Sequence, residues 1–224
     1  MKVEKLFDGV FKIDGKLATE NLAPGKKVYG EKLVREGAKE YRLWEPSRSK
    51  LGAAIARGLK ELAVRPGATV LYLGAANGTT ASHVSDIVGK KGTVFAVEFS
   101  AVSMRDLIRV CEDRQNLLPL LNDARMPQDY RDAVGGKVDV VFEDVADKSQ
   151  VEILIRNCET FLKDGGTAMI AVKARCMDSA QAPEKIFRRV ERQLAENGFE
   201  IVQKIDLAPF EMDHEFLVLK KKAN

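Results

Sequence analysis

A strand-like run, Thr69–Leu73, breaks directly into Gly74-Ala75-Ala76-Asn77-Gly78-Thr79-Thr80 and then into a helical pattern. That junction constrains the fold more than any other stretch. A buried strand that ends in small residues and restarts as a helix is the leading half of a strand–helix–strand unit. The alternation continues downstream. Strands are predicted at Thr93–Glu98, Leu117–Leu121, Val138–Phe142 and Thr167–Val172, with helices at about 80–88, 103–113 and 128–134. A further helix carries Val151, Leu154, Ile155, Cys158 and Phe161, with Gly165-Gly166 as its stop. Another starts at Pro183 and ends at Asn197-Gly198. Ahead of the first strand, Leu51, Ala54, Ile55, Leu59 and Leu62 share one helical face. A helix is therefore expected over 50–62, capped by Ser47 or Ser49. The last two strands, Ile201–Leu207 and Glu215–Lys220, have no helix between them and should pair antiparallel. The expected architecture is a mostly parallel sheet with helices on both faces, closed by an antiparallel hairpin.

Residues 3–43 read differently. Short β-prone clusters are cut by Asp8-Gly9, Asp14-Gly15, Pro24-Gly25 and Glu36-Gly37. Closely spaced turns of this kind predict antiparallel hairpins. The expected division is a small β-rich domain over 1–48 and an α/β domain over 49–224.

Charge and cysteine usage exclude several classes. The 36 Lys and Arg against 33 Asp and Glu leave a net charge of only +3, so an overall polycation is excluded. The excess is local: residues 1–50 hold 12 basic and 8 acidic residues, and the remainder 24 and 25. A basic face at the front is a candidate phosphate contact. The three cysteines, Cys111, Cys158 and Cys176, form no CxxC pair, and the histidines are two, His83 and His214. A zinc cluster and a disulfide framework are both disfavoured, which suits a reduced, intracellular protein. Lys2, Glu4, Lys5 and Asp8 interrupt the first apolar residues, so no signal peptide is expected. No apolar run is long enough to span a bilayer.

Ligands of open α/β sheets bind beyond the carboxyl ends of the strands, near the point where strand order reverses. The residues just past each strand are therefore the candidate site. In the loop after the first strand, Gly74 and Ala75 permit close backbone approach, and Thr79 and Thr80 add hydroxyls. Gly74, Ala76 and Thr79 occupy the places of a Gly-x-Gly-x-x-Gly fingerprint, so the third glycine is missing. The spacing fits instead the looser Gly-x-(Gly/Ala)-x-Gly loop of S-adenosylmethionine enzymes. Glu98 and Phe99 close the second strand about 20 residues later, where a carboxylate accepts ribose hydroxyls. Asp123, after the third strand, suits an adenine amino group or a turn cap. Glu143 and Asp144, after the fourth, are expected to face the same crevice. Lys173 comes directly after the apolar run AMIAV; at a central strand end it needs a partner or a function, and Asp144 is the natural partner. His214 sits in the link of the final hairpin, where a lone histidine is more often surface or packing.

The strings YRLWEPSRSKLGAAI and PGATVLYLGAANGTTASHVSDIVG closely resemble fibrillarin, as do VFAVEFS, VDVVFEDVAD, IAVKAR and DHEFLV. The resemblance runs through nearly the whole chain, in order. No Arg/Gly-rich stretch of the eukaryotic kind is present, so it is to an archaeal form. It implies an α/β, Rossmann-like seven-stranded methyltransferase fold with a small N-terminal antiparallel β domain. It implies S-adenosyl-L-methionine as cofactor and ribose 2′-O-methylation of rRNA and tRNA, guided by box C/D RNA. The implied partners are that guide RNA, a Nop-domain scaffold protein and a kink-turn-binding ribosomal-type protein. Location would be cytoplasmic, with no membrane association.

Residue by residue, the resemblance puts Thr79 and Thr80 at the methionine end of the cofactor. It puts Glu98 and Phe99 at its ribose and adenine, Asp123 and Ala124 at its adenine, and Asp144, Val145, Ala146 and Asp147 under its sulfonium. A catalytic set shared with other ribose methyltransferases falls on Lys50, Asp144, Lys173 and His214. The chain departs from the family pattern at Asn77 (usually Ser), Asp147 (usually Gln) and Glu45 (usually Asn). Lys173 either takes the ribose proton or acts through its charge. Lys50 and His214 would position the target ribose or its phosphate, and Arg42, Arg48 and Arg175 are further candidate phosphate contacts. Three rival readings are a glutamine-methylating enzyme on the same fold, a non-enzymatic scaffold subunit and a nicotinamide dehydrogenase. The last is opposed by the missing third glycine.

Overall fold

In the computed structural model, which describes residues 2–222, tight turns and β-prone clusters build the first sheet. Its strands are β1 (Val3–Phe7), β2 (Val10–Ile13), β3 (Lys16–Glu20), β4 (Leu33–Glu36) and β5 (Lys39–Leu43). Their order is β1-β2-β3-β5-β4, and every pairing is antiparallel. Gly9 and Gly15, both at φ 82°, supply the left-handed turn residues of the first two hairpins. Pro24-Gly25, expected between hairpin strands, lies instead in the irregular segment 21–32, because β3 pairs with β5.

The second sheet holds β6 (Thr69–Leu73), β7 (Thr93–Glu98), β8 (Leu117–Leu121), β9 (Val138–Glu143), β10 (Leu162–Lys173), β11 (Phe199–Asp206) and β12 (His214–Lys221). Its order is β11-β12-β10-β9-β6-β7-β8. Strands β10 to β8 run parallel; β12 lies antiparallel to β10 and β11. From β6 the chain moves outward through β7 and β8, then returns to place β9 on the other side of β6. The strand order therefore reverses between β6 and β9, and the crevice of the fold opens above them.

The helices are α1 (Lys50–Ala56), α2 (Thr79–Val88), α3 (Ala101–Glu112), α4 (Arg131–Val134), α5 (Gln150–Phe161), α6 (Ala174–Met177) and α7 (Pro183–Glu196). Helix α1 is half the expected length. It stops at Ala56, and Gly58 at φ 97° turns the chain away. Leu59 is still buried, but from a loop. Helix α5 also stops early, at Phe161, and β10 begins at the next residue, so Gly165-Gly166 lie inside the strand. The short α6 was not anticipated.

Alternation along β6 divides the core. Val70 and Tyr72 pack with α1, α2 and α3 residues such as Leu51, Val84 and Leu107. Leu71 and Leu73 pack with α5 and α7 residues such as Leu154 and Val190. The small sheet joins the first of these layers through Val10, Leu17 and Trp44.

The small sheet is fastened to α2 by buried charge. Arg42 of β5 is wholly buried; its Nη1 lies 2.8 Å from Asp86 Oδ2, its Nε 2.6 Å from Glu31 Oε1, and its Nη2 donates to Ser82 Oγ at 2.9 Å. This overturns Arg42 as a phosphate contact: its donors are spent inside the protein. Asp86 also takes Arg114 Nη2 at 3.3 Å, the Thr19 hydroxyl at 2.8 Å and the Leu22 N–H at 3.0 Å. His83, one turn earlier, lies between Thr19 Oγ1 and Tyr29 Oη, each at 2.8 Å, with the Trp44 ring stacked on it. Burial, then the charges of Arg42 and Arg114, push His83 well below its ordinary pKa, so it is neutral. Thr19 spends its one proton on Asp86. His83 Nδ1 therefore carries the imidazole proton, and Nε2 accepts from Tyr29. Removing one partner of a buried ion pair costs about 3–5 kcal/mol. Asp86→Ala, which strands two buried guanidinium groups, should lose that much in chemical denaturation. An unfolding midpoint equal to the parent's would contradict this account.

Candidate active site

The close approach of two chains fixes the floor of the crevice. Gly74, just past β6, has φ 81°, and a Cβ there would sit 3.0 Å from the Asp144 carbonyl carbon and oxygen and from Val145 N. The chain leaving β9 therefore passes directly against the chain leaving β6. A cleft of about 280 Å³ opens beside this contact. Of the residues expected at the site, it gathers Gly74, Glu98, Phe99, Asp123, Ala124, Asp144, Val145, Ala146, Asp147 and Lys173.

Each acid has a defined setting. Glu98 Oε2 accepts the Ala76 N–H and Oε1 the Ser100 N–H, both at 2.8 Å. Each oxygen keeps a second lone pair for a ligand hydroxyl. Asp123 is held by Arg125, whose Nε lies 3.0 and 2.9 Å from its two oxygens, and this bonding keeps the carboxyl below its ordinary range. Asp144 faces Lys173. The lysine amine donates to the Asp144 carbonyl oxygen at 2.6 Å and stands 2.9 Å from Oδ1. Tyr72, fully buried, aims its hydroxyl at Asp144 Oδ2 at 3.4 Å. Glu143 does not share the crevice, contrary to expectation. It is buried behind it with neither oxygen hydrogen-bonded, and burial raises its pKa well above the ordinary value. The alternation of a strand explains this: consecutive residues 143 and 144 face opposite ways.

Lys50 and His214 stand outside the cleft walls but next to its lysine. Ser49 caps α1 by accepting the Gly52 N–H at 3.1 Å, which makes Lys50 the first residue of the helix. Lys50 Nζ is 4.0 Å from Asp144 Oδ1 and 3.2 Å from Glu211 Oε1. Burial lowers its pKa, yet Asp144 and Glu211 outweigh burial and hold it above the ordinary lysine value. His214 is the strand partner of Lys173, and its Nδ1 donates to the Met212 carbonyl at 2.7 Å. Arg48 rides on the Tyr29 ring, and Arg175 pairs with Asp213. Ala75, Thr79 and Thr80 are not among the cleft walls. Thr80 is buried and gives its hydroxyl to Ser49 at 3.0 Å, joining the start of α2 to the cap of α1.

Several contributors were missed. Val97 and Ile153 supply apolar wall, and Arg125 closes the rim. Glu211, Tyr72 and Gln150 act on the charged residues. No spacing rule signals them; strand alternation alone would have turned Tyr72 away from Leu71 and Leu73.

Four carboxylates around a partly apolar cleft, with the exposed Phe99 ring at its edge, suit a ligand with a flat ring, hydroxyls and a positive centre. A family model, Fibrillarin, matches residues 1–223. The chain belongs to the fibrillarin family. A fibrillarin-like rRNA/tRNA 2′-O-methyltransferase of Thermococcus gammatolerans is 53% identical over 227 residues, covering 99% of this chain and all of the relative. An Aeropyrum pernix fibrillarin structure with natively bound S-adenosyl-L-methionine superposes with TM-score 0.89 at 43% identity, covering 98% of each chain. A fibrillarin in complex with Nop5p also gives 0.89, at 42% identity over 97% of this chain and all of the other. The fold is thus the fibrillarin fold, with its methyltransferase sheet beside a five-stranded antiparallel one.

The floor contact is testable. A residue strained into positive φ costs about 1–3 kcal/mol. Gly74→Ala should lose more stability than Gly30→Ala, which has the same backbone hand but nothing within 4 Å of its Cβ position. Equal losses in urea unfolding would show that the approach of Asp144 is not tight.

Proposed function

We propose that this chain is an S-adenosyl-L-methionine-dependent ribose 2′-O-methyltransferase acting on rRNA and tRNA. The observation that carries the reading is the Lys173–Asp144 pair on the floor of an acid-lined cleft at the strand-order reversal. The residues fit the cofactor. Glu98 would hold its ribose hydroxyls, Phe99, Asp123 and Ala124 its adenine, and Asp144, Val145, Ala146 and Asp147 its sulfonium end. When bound, S-adenosyl-L-methionine supplies an electrophilic methyl group on a positive sulfur. Thr79 and Thr80 would border the methionine end, Thr80 through the helix start it steadies.

The rest of the mechanism belongs to the protein's own groups. A ribose hydroxyl attacks poorly until its proton is taken or its developing charge is met. Lys173 is the group placed for that. The Asp144 carboxylate and carbonyl lie 2.9 and 2.6 Å from its amine. Lys50 shares Asp144 with it, at 4.0 Å from Oδ1. Lys50 stays charged and is suited to the target phosphate, with His214 beside Lys173 to steady the ribose. Arg48 and Arg175 are rim cations for the RNA backbone. Alignment of the hydroxyl with the methyl group supplies much of the acceleration.

Such an active site reads backbone and ribose, so the nucleotide must be selected elsewhere. A box C/D guide RNA, a Nop-domain scaffold such as the one that binds the related fibrillarin, and a kink-turn-binding protein are the proposed partners. A division at residues 48/49 assigns the small sheet to one domain and the methyltransferase sheet to the other. The proposed setting is the cytoplasm; no helix among the described residues is long and apolar enough to cross a membrane.

The test is reconstitution with guide RNA and scaffold, then mass spectrometry of the target RNA. A ribose methyl at the guided nucleotide is expected. Methylated protein glutamine with unmodified RNA would overturn the reading. General acid–base residues typically contribute 10²–10⁴-fold. Lys173→Ala should slow methylation at saturating cofactor by about that factor. Full turnover by that variant would remove Lys173 from the mechanism.

A further inference from the structure

Strand β10 outruns its parallel neighbour. Its ladder with β9 ends at Ile170 opposite Glu143, while its ladder with β12 continues to Lys173 opposite His214. Beyond Glu143 the chain turns away into 144–149, so the end of β10 has no strand on that side. An unpaired N–H in a buried place is costly. The gap is filled by one side chain. Gln150, the first residue of α5, accepts the Lys173 N–H on its Oε1 at 3.1 Å. Its Nε2 donates to the Asp147 carbonyl at 3.1 Å. The partners dictate the amide's orientation, since an N–H needs the oxygen and a carbonyl needs the NH₂.

The position is unusual for a polar residue. The first turn of a helix normally faces water, yet Gln150 is wholly buried. It stands where segment 144–147, which walls the cleft, must keep its distance from Lys173. That segment is tied to Lys173 twice. At the near end the lysine amine holds the Asp144 carbonyl; at the far end Gln150 joins the lysine's backbone to the Asp147 carbonyl. With either tie lost, the lysine and the loop are free to move apart, and misplacement on the order of 1 Å is enough to cost about 10²-fold in rate.

We propose that Gln150 is a positioning residue for methyl transfer, its amide setting the separation of Lys173 from the cofactor-binding segment 144–147. The inference rests on the methyltransferase reading above. Two variants test it in the full chain. Gln150→Met keeps the length and removes both bonds. Gln150→Glu keeps an acceptor for Lys173 but turns an oxygen toward the Asp147 carbonyl.

Affinity for S-adenosyl-L-methionine is measured by calorimetry on the isolated protein, and kcat and KM on the guide-RNA particle. A buried hydrogen bond contributes about 1 kcal/mol, so loss of both should weaken affinity by up to about 30-fold. For Gln150→Met the kcat should fall as well, with KM for the RNA unchanged. For Gln150→Glu the affinity deficit should shrink on acidification, because a protonated carboxyl again donates to Asp147. Packing alone predicts no such pH dependence. A folded Gln150→Met variant with parental affinity and kcat overturns the proposal. So does a Gln150→Glu deficit that is constant with pH, and this arm decides the matter should the Met variant unfold. A parental particle that binds cofactor but leaves RNA unmodified would overturn the functional reading instead, and the affinity comparison would still judge Gln150.

Discussion

The chemistry of this fold hangs on a distance too short for a methyl group. At Gly74 the chain leaving β6 meets the chain leaving β9 so closely that a Cβ would press on the Asp144 backbone. Strand-order reversal alone would leave an open crevice there. The tight contact narrows it and turns Asp144 toward the end of β10, where Lys173 waits. The acids at the ends of β7 and β8 then complete the wall. One glycine thus links sheet topology to the placement of Lys173, a buried lysine that opens on the cleft.

A second constraint is charge buried between the two sheets. Arg42 and Arg114 have no water, so Asp86 and Glu31 must neutralise them. Such clusters add little stability over an apolar interface but tolerate the loss of no member. Their geometric demands fix where β5 sits on α2. The same helix begins with Thr80, whose hydroxyl reaches the Ser49 cap of α1. The small sheet, the loop after β6 and Lys50 are therefore positioned by one helix. Positive charge at the front of the chain, which in sequence resembles an RNA-binding face, is in part structural for this reason.

Much of this was legible in the sequence. The runs Thr69–Leu73, Thr93–Glu98 and Leu117–Leu121 are strands with those bounds, since buried parallel strands are unbroken apolar stretches with sharp turn punctuation. Ten of the candidate site residues gather at one cleft because topology puts strand ends, which sequence locates well, around one crevice. What was illegible shares a physical cause. Leu59 keeps helical spacing after α1 has ended, because burial rewards the side chain whatever its backbone does. Arg42 reads as a surface cation because nothing local announces Asp86, 44 residues away. Gln150 carries no mark of its role in the sequence, because its two partners lie on segments whose meeting is decided by the whole sheet.

The charges around Lys173 come close to cancelling, and this bears on how a lysine is held at the cleft. Lys50 and Lys173 face Asp144 and Glu211. Asp144 is shared between the two lysines, but its nearer contact is Lys173. Among the described residues Glu211 has only Lys50 within ion-pair distance, so it secures that charge and leaves Asp144 to the other lysine. The Lys173–Asp144 pair is therefore one half of a four-member array and not an isolated ion pair. Lys50 keeps its own counter-ion in Glu211, so it can share Asp144 without displacing Lys173. The arrangement leaves the Lys173 amine anchored to Asp144 at the floor of the cleft, while Lys50 brings a second positive charge to the same carboxylate.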